Sequence, residues 1–276
     1  MKYDLMLIGP ATRDVNIDYT GKEVHEIGGA VFFCAAAAKA AGANLFASVK
    51  IHPNDTDIID AFKLDSDHVA ILPSETTTLM QNTYFTADRE RRKAECLAQS
   101  VPITPDQIPE VDSRLYHLKT RGKASADIQG SLRHNEGGLI NFHDWSDKLE
   151  YLKYFDFLKT DAAEAEILTG LTDRREAAKQ LYAWGAKEIL ISHNSEMLVY
   201  DGKDFFTCPV KARNLSGRTG RGDTTFGAYL AKRMTGSPIA EALLFATAAV
   251  SLKMEAPGPL SASEADIQKY IDEFYA

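Results

Sequence analysis

The sequence has few cysteines, and they lie too far apart for a metal site or a redox pair. Its 276 residues include three, Cys34, Cys96 and Cys208, with no CxxC motif and no mixed Cys/His spacing. Zinc fingers and thioredoxin-like motifs need such short spacings, so the sequence favours neither. An odd number of separated thiols is typical of buried cysteines in a reducing compartment, and we therefore expect a cytoplasmic protein.

The sequence also lacks an excess of basic residues and any long apolar run. Thirty-one Lys and Arg residues stand against 39 Asp and Glu residues, which gives a formal net charge of −8. Nucleic acids and anionic membranes favour a concentrated basic surface, so we expect neither as a partner. The apolar run at residues 5–8 is too short for a signal peptide, and no segment approaches the roughly 20 residues of a membrane span.

What the sequence does contain is an alternation of short apolar strands with helices. Residues 5–8 and 45–51 are typical of buried strands, and the alanine-rich segment 30–41 of a buried helix. From about residue 110 strands alternate with helices, including a predicted helix near 125–135. The last helix is predicted to start at Ser261, with Glu264 completing a capping box. This alternation predicts an α/β fold with a mostly parallel sheet and helices on both faces.

Two separate segments predict a small β lid over the main body. Residues 15–27 are typical of two short strands around a turn at Thr20 and Gly21. Residues 76–99 are rich in Thr, Tyr and Phe and turn at residues 88–90. We therefore expect one domain over residues 1–276, with a lid formed by about 15–27 and 76–99.

Residues 216–233 read SGRTGRGDTTFGAYLAKR, a glycine turn followed by a helix predicted over 224–234. The backbone N–H groups of such a turn converge on one point, and the helix dipole adds positive potential there, so the segment suits phosphate. Asp223 would lie beside that phosphate, where it could accept a proton from an attacking hydroxyl group. The alternative is that Asp223 only caps its helix, and this segment alone leaves both interpretations open.

Three further features suit ligands, although each also has a purely structural explanation. Asp14 follows the first predicted strand, where parallel sheets place ligand-binding loops, or it is one surface acid among many. Gly28 and Gly29 let a ligand approach the backbone, or they simply make a turn. Asp161 and Glu164 lie three residues apart at a helix start, where they suit a water-mediated Mg²⁺ site or stabilise the helix dipole.

The order of these four features resembles the ribokinase-like (PfkB-type) carbohydrate kinases over about residues 4–258. The resemblance implies a ribokinase-like three-layer α/β/α fold with a mostly parallel central sheet and a small β lid, and it implies ATP and Mg²⁺. It also implies that the substrate binds near Asp14, Gly28 and Gly29 under the lid. The remaining implied roles are an anion hole of the Gly220, Arg221 and Gly222 amides, Asp223 as the catalytic base, and Asp161 with Glu164 at the metal and phosphates.

The chain departs from the usual family motifs at several positions. Gly217 stands where the family usually has Asp, and Arg221 replaces a small residue in the glycine loop. Phe33 replaces an Asn that contacts the sugar. The strand that often reads TxGxxG has lost its glycines at residues 192–197, and we place the nucleotide near Asp161, Ser192 and Asn194.

The segments PSETTT at 73–78 and the following NTYF resemble the inositol-kinase branch of the family. They favour a cyclitol such as myo-inositol as the small-molecule acceptor. Two alternatives remain: a nucleoside kinase, in which Phe32, Phe33 or Tyr84 would stack on a base, and a degenerate kinase fold that binds a sugar or nucleotide without turnover. The lid is also a candidate homodimer interface, because exposed sheet edges and apolar lid faces often pair.

Overall fold

The computed structural model describes residues 3–86, 91–116 and 122–275, which form two sheets. The central sheet has nine strands: β1 (Tyr3–Pro10), β4 (Leu45–Ile51), β5 (Val69–Pro73), β8 (Ser113–Tyr116), β9 (Lys123–Asp127), β12 (Phe157–Asp161), β13 (Glu188–Ser192), β14 (Glu196–Tyr200) and β15 (Phe205–Pro209). The second, here called the lid sheet, has six: β2 (Thr12–Ile17), β3 (Glu23–Gly28), β6 (Thr78–Tyr84), β7 (Arg92–Ala98), β10 (Arg133–Glu136) and β11 (Leu139–Phe142).

Helices cover both faces of the central sheet, as the alternating pattern predicted. They are α1 (Ala30–Ala40), α2 (Thr56–Ala61), α3 (Gln129–Leu132), α4 (Lys148–Tyr151), α5 (Ala162–Thr169), α6 (Arg174–Ala183), α7 (Arg221–Met234), α8 (Ile239–Lys253) and α9 (Glu264–Phe274). The two sides of β1 show why both faces are covered: Leu5 and Leu7 belong to the core under α1, α7 and α8, whereas Met6 and Ile8 pack on the opposite face. Such continuous burial is typical of parallel strands.

The central sheet is parallel except at one edge. Its strand order is β15-β14-β13-β12-β9-β8-β1-β4-β5, and every neighbouring pair from β13 to β5 is parallel. The strands β14 and β15 add to β13 as antiparallel neighbours. The carboxyl ends of β1, β9, β12 and β13 lie at one edge, where open α/β sheets bind their ligands.

The lid sheet contains the two predicted segments and a third that the sequence did not predict. Its order is β10-β11-β7-β6-β2-β3, with β2 and β6 parallel and the other neighbours antiparallel. The helix predicted near 125–135 is wrong. That stretch completes β9 at Asp127, makes one helical turn in α3 and enters the β10–β11 hairpin. Gly137 and Gly138 have φ of 63° and 97°, which suits the two-residue turn of such a hairpin.

The rest of the lid agrees with the prediction where it is described. The strands β2 and β3 flank the turn at Thr20 and Gly21, and β6 and β7 lie within 76–99. The turn predicted at residues 88–90 lies outside the described residues. Val24, Leu97 and Leu139 are exposed on the lid strands, and a homodimer through the lid stays a prediction. No helix in the described ranges is long and apolar enough to cross a membrane.

The N-terminal cap of the last helix differs from the predicted one. Ser263, not Ser261, precedes α9: its hydroxyl oxygen accepts from the Asp266 amide at 3.2 Å, and the Asp266 carboxylate accepts from the Ser263 amide at 2.9 Å. Both serines lie before the same apolar pattern, and an acid follows each three residues later, so the sequence motif alone does not distinguish them.

We expect Ser263→Ala to lower the free energy of unfolding by about 1 kcal/mol, because the Asp266 amide in the first turn of α9 loses its capping partner. The matched control is Ser261→Ala, which removes an equally exposed hydroxyl group two residues earlier and should leave stability unchanged. Chemical denaturation of both variants measures the difference. Equal losses would show that the cap does not stabilise α9.

Candidate active site

A cleft of about 600 Å³ opens between the carboxyl ends of the central strands and the lid sheet. It brings together predicted site residues that lie more than 200 positions apart in the sequence. The cleft is lined by Asp14, Gly29, Asp161, Ser192, Gly220, Arg221, Gly222 and Asp223. Three predicted site residues, Gly28, Glu164 and Asn194, do not line it and instead contact residues that do.

Asp14 is held at the lid end of the cleft by its neighbours on β2 and β3. It is 7% exposed, and its carboxylate accepts a hydrogen bond from the Thr12 hydroxyl group at 2.6 Å. Burial raises the pKa of Asp14, and the Thr12 hydrogen bond opposes that shift. Gly28 pairs with Thr12 across the strands, and a Cβ atom there would lie 2.3 Å from Asp14 Oδ2. Gly28 therefore leaves the space that this carboxylate occupies.

The glycine loop lies against α1 and the end of α8. Gly220 has φ of 75°, and a Cβ atom there would lie 2.3 Å from the Phe33 ring. At Gly217 a Cβ atom would lie 1.7 Å from the Ala256 carbonyl oxygen, so the usual Asp of the family would not fit this loop. The buried Lys253 ammonium donates to the carbonyl oxygens of Gly217 and Thr219. The loop is therefore fixed by packing and by one buried cation.

Asp223 lies in the first turn of α7, which begins at Arg221 and not at the predicted residue 224. Amides in a first helical turn have no intrahelical acceptor, although the Arg221 amide donates to the Arg218 carbonyl oxygen at 3.2 Å. Burial, and next the charge of Asp127, raise the pKa of Asp223 to about 6, while Lys159, Arg133 and Lys253 oppose the shift. A carboxylate with such a pKa can accept a proton near neutral pH.

A buried ion pair that the sequence did not reveal lies beneath this turn. Lys159 is 3% exposed, and its Nζ lies 2.8 Å from Asp127 Oδ2 and 3.9 Å from Glu164 Oε2. A Cβ atom at Gly222 would lie 2.7 Å from Lys159 Nζ, so glycine is needed where the loop crosses the ammonium. Burial lowers the pKa of Lys159, but the carboxylates of Asp127, Glu164 and Asp223 outweigh it and raise the pKa above its usual value. The ammonium therefore stays charged.

Asp161 and Glu164 form a capping box at the start of α5. Asp161 Oδ1 accepts from the Glu164 amide at 2.8 Å, and Glu164 Oε2 accepts from the Asp161 amide at 2.7 Å. The other Glu164 oxygen accepts from Gln129 Nε2 at 2.9 Å. The pair therefore has the structural role of capping α5. Its role at a metal stays a prediction.

The donor set for a metal ion here is small. Among the described residues no group of three or more His, Cys, Asp or Glu side chains is arranged to hold a metal. Asp161 lines the cleft, whereas both oxygens of Glu164 bond within the protein. This arrangement fits Mg²⁺, which is often held by one carboxylate, several waters and the phosphates of a substrate. Glu164 would then act on such an ion through Asp161 or through water.

At the opposite end of the cleft from Asp14, two arginines reach the turn after β13. Arg218 donates to the side-chain oxygen of Asn194 at 3.1 Å, and Arg221 donates to the same oxygen. Ser192 ends β13 and lines the cleft. Asn194 thus ties the glycine loop to this strand, and its contact with a nucleotide stays a prediction.

Several cleft residues were missed in the sequence. Lys159 left a signal, because it is a charge that follows the apolar residues Phe157 and Leu158 of a predicted strand, two residues before Asp161. Asp127 and Gln129 fell within the incorrectly predicted helix, which hid their position at a strand end. Arg133 was missed for the same reason, and nothing in the sequence singled out Arg92. All five of these residues line the cleft.

Comparison with known proteins agrees with this geometry. A sequence profile described as pfkB family carbohydrate kinase matches residues 133–266. A solved pyrophosphate-dependent kinase in the ribokinase family, complexed with a pyrophosphate analogue and myo-inositol, is 31% identical, and the match covers 96% of this chain and 99% of that chain with a TM-score of 0.82. This chain belongs to the PfkB family of ribokinase-like carbohydrate kinases. It is a phosphotransferase that acts on a hydroxyl group of a sugar, cyclitol or nucleoside.

Two other proteins are also similar to this kinase. The cytidine kinase of Thermococcus kodakarensis is 29% identical over 258 residues, which cover 86% of this kinase and 91% of that protein. Ribokinase of Arabidopsis thaliana, solved with ribose and ATP, has a TM-score of 0.76 over 98% of this kinase and 99% of that chain, at 16% identity. The second likeness supports the fold alone. The predicted family and fold are confirmed, and the similar proteins support a kinase of the sugar, cyclitol and nucleoside classes.

We expect Gly28→Ala to raise the KM of the kinase for its acceptor about tenfold to a hundredfold. The new methyl group would displace the Asp14 carboxylate, and a hydrogen bond to a charged group contributes about 1.5–3 kcal/mol. Steady-state kinetics with both substrates varied test this, and the KM for the donor serves as the internal control. An unchanged KM for the acceptor would show that Asp14 does not contribute to acceptor binding.

We expect kcat/KM to fall about tenfold per pH unit below pH 6, because Asp223 is protonated there and cannot accept a proton. Asp127→Asn removes a carboxylate that raises the pKa of Asp223, so the acid limb of the profile should move to lower pH. Profiles of kcat/KM from pH 4.5 to 9 measure both effects. A limb that stays in place or moves upward would contradict this origin of the shift.

Proposed function

We propose that this kinase phosphorylates a cyclitol, with myo-inositol as the first candidate acceptor, and that Asp223 is its catalytic base. The observation that carries the proposal is the placement of Asp223 in one cleft between Asp14 under the lid and the glycine loop of α7. An acceptor that contacts Asp14 at one end presents a hydroxyl group at the other, where Asp223 and a donor phosphate meet.

The chain's own groups supply most of the proposed chemistry. The acceptor oxygen forms a bond to the terminal phosphorus of the donor as its proton passes to Asp223, and the bond from that phosphorus to the donor's bridging oxygen breaks. The amides of Gly220 and Gly222 and the positive end of the α7 dipole stabilise negative charge on the transferred group. Lys159 lies directly beneath Gly222 and adds a fixed positive charge. When bound, Mg²⁺ near Asp161 would neutralise charge on the donor phosphates.

The polar lining of the lid end supports a hydroxyl-rich acceptor. Besides Asp14 and Thr12, the cleft is lined by Thr78 and Asn82 from β6. Asn82 is held by donation to the Asn16 side chain at 3.1 Å. Fixed polar groups of this kind bind hydroxyl groups selectively, because an acceptor without them leaves the groups unpaired. The solved kinase that binds myo-inositol, 31% identical to this chain, supports the same acceptor class.

A nucleoside is the second candidate, and the likeness to a cytidine kinase favours it. Two of the three aromatic residues expected to stack on its base, however, are packed against other parts of the protein. Phe32 lies in the core against Phe62, with ring centroids 5.2 Å apart. Phe33 has Gly220 against its ring and the Lys253 ammonium 5.4 Å from its centroid. Phe33 and Tyr84 both still line the cleft, and the Tyr84 hydroxyl group lies 3.3 Å from that of Thr219.

For the donor, ATP with Mg²⁺ is the predicted candidate, and one feature of the cleft favours inorganic pyrophosphate as the second. Arg218 and Arg221 converge on Asn194, beside the strand whose nucleotide-binding glycines are missing. Guanidinium groups bind phosphate oxygens well. Similar structures described as pyrophosphate-dependent support this candidate, including a myo-inositol-1 kinase converted into a myo-inositol-3 kinase by two substitutions, which is 30% identical with a TM-score of 0.81.

The test is a screen of phosphoryl transfer with ATP or pyrophosphate as the donor, in the presence of Mg²⁺. Acceptors are myo-inositol, ribose, fructose 6-phosphate and cytidine, and the phosphorylated product is detected directly. Turnover with myo-inositol supports the proposal. Turnover with cytidine alone would leave Asp223 as the proposed catalytic base but make a nucleoside the acceptor. Binding without any turnover would favour a degenerate kinase fold that binds a sugar or nucleotide only.

We expect Asp223→Asn to lower kcat about a hundredfold to ten-thousandfold, which is the usual contribution of a general base. Folding provides the control. The pKa of Asp223 is raised in the folded protein, so its ionised form is destabilising above pH 6. The variant should therefore melt at a higher temperature than the native chain at pH 8, and the difference should disappear toward pH 4. Full activity in a folded Asp223→Asn protein would remove Asp223 from the base role.

A further inference from the structure

Arg133 is a cleft residue to which the proposed mechanism gives no part. It lies at the point where α3 of the main body passes into β10 of the lid sheet. It lines the cleft together with Asp127 and Gln129 of the same short segment. Its guanidinium carbon lies 5.7 Å from the centroid of the Phe142 ring, which belongs to the paired strand β11. The aromatic ring covers one side of the guanidinium group and limits its orientation.

The guanidinium group of Arg133 has hydrogen-bonding capacity that the protein does not use. Its Nε atom is inaccessible to solvent and has no hydrogen-bond partner among the described residues. No carboxylate in those residues forms an ion pair with Arg133 within 4 Å. Burial lowers the pKa of Arg133, and the nearby charge of Arg92 acts in the same direction. A buried cationic donor without a partner is costly, so such a group usually has a ligand.

The charges around Arg133 place it at the acceptor end and near the base. Arg92 of β7 and Arg133 both act on the Asp14 carboxylate and oppose the rise in its pKa. Arg133 acts in the same way on Asp223. The donor end is separate, because Arg218 and Arg221 converge there on Asn194. Arg133 therefore faces the space between Asp14 and Asp223, where the proposed acceptor would lie.

We propose that Arg133 binds the acceptor, donating from its two terminal nitrogens to two neighbouring oxygen atoms, and so determines which acceptors are used. This inference rests on the proposed function, because it assumes an acceptor between Asp14 and Asp223. The chemical class is a molecule with hydroxyl groups on adjacent carbons, as in a cyclitol or a ribose ring. Two parallel N–H donors of a guanidinium group match two such oxygens.

The geometry also explains why arginine is used at this position. The Phe142 ring holds the plane of the guanidinium group, so its edge is the part that can donate. A lysine would offer one flexible ammonium group in place of a fixed pair of donors. Arg133→Lys should therefore keep the charge and lose the selection of acceptors.

The first measurement is the KM of Arg133→Gln and Arg133→Lys for myo-inositol, or for cytidine if that is the acceptor used. Both variants should raise this KM about tenfold to a hundredfold. The KM for the donor should change less than about threefold, since the donor end is untouched. Arg114→Gln is the control: Arg114 lies outside the cleft, 3.5 Å from Asp4, and should leave all constants unchanged.

The second measurement uses monodeoxy acceptors, each of which lacks one hydroxyl group. One deoxy acceptor lacks the oxygen that Arg133 binds. With it, the KM of the native chain should rise as much as Arg133→Gln raises the KM for the full acceptor, and Arg133→Gln should add little to that rise. For the other deoxy acceptors the two effects should multiply. This pattern identifies a direct contact, because a merely structural role of Arg133 would weaken all acceptors alike.

Several outcomes would overturn the inference. A selective rise in the KM for the donor would show that Arg133 binds the donor phosphate and not the acceptor. Equal effects of Arg133→Gln on every deoxy acceptor would show that Arg133 has only a structural role. Failure of both variants to fold, seen by thermal melting, would have the same meaning. If the native chain phosphorylates no acceptor, the proposed function itself fails. If the native chain is active and the Arg133 variants match it, only this inference fails.

Discussion

The buried ion pair between Lys159 and Asp127 is the interaction on which the rest of the site depends. It joins two neighbouring parallel strands at their carboxyl ends, directly beneath the turn that starts α7. Two isolated charges would be costly to bury, but here the carboxylate and the ammonium compensate each other, and Glu164 adds a second carboxylate at 3.9 Å. The pair also explains two features above it, since Gly222 leaves room for the ammonium and Asp127 raises the pKa of Asp223.

One short segment connects this ion pair to the lid. Asp127 ends β9, Gln129 in α3 bonds to Glu164, and Arg133 starts the hairpin that extends the lid sheet. Within seven residues the chain therefore supports the base, the capping box of α5 and the proposed acceptor contact. Because Arg133 lies at the start of the lid hairpin, a shift of that hairpin would move Arg133 relative to Asp223. We infer that acceptor binding and lid position are coupled through this segment.

The sequence predicted the parts of this structure that depend on local patterns. The apolar strands, the buried helix α1 and the glycine turn before Asp223 have periodicities or turn residues that can be seen in a few neighbouring positions. The errors arose where tertiary pairing decides. The segment after Asp127 has no strong helix or strand period, and only pairing with Phe142 and its neighbours makes it a strand. Lys159 could be noticed as a charge in an apolar strand, but its partner Asp127 is 32 positions away.

The charges of the cleft also bear on how Asp223 works as a base. A bound polyphosphate brings negative charge close to this carboxylate, and by itself that charge would raise the pKa further and keep the group protonated. The cations of the donor end, Arg218, Arg221 and Lys253, lie on the side from which that charge would come. We infer that they have two effects, since they attract the donor and offset its charge at Asp223. The base can then stay ionised near neutral pH with its donor in place.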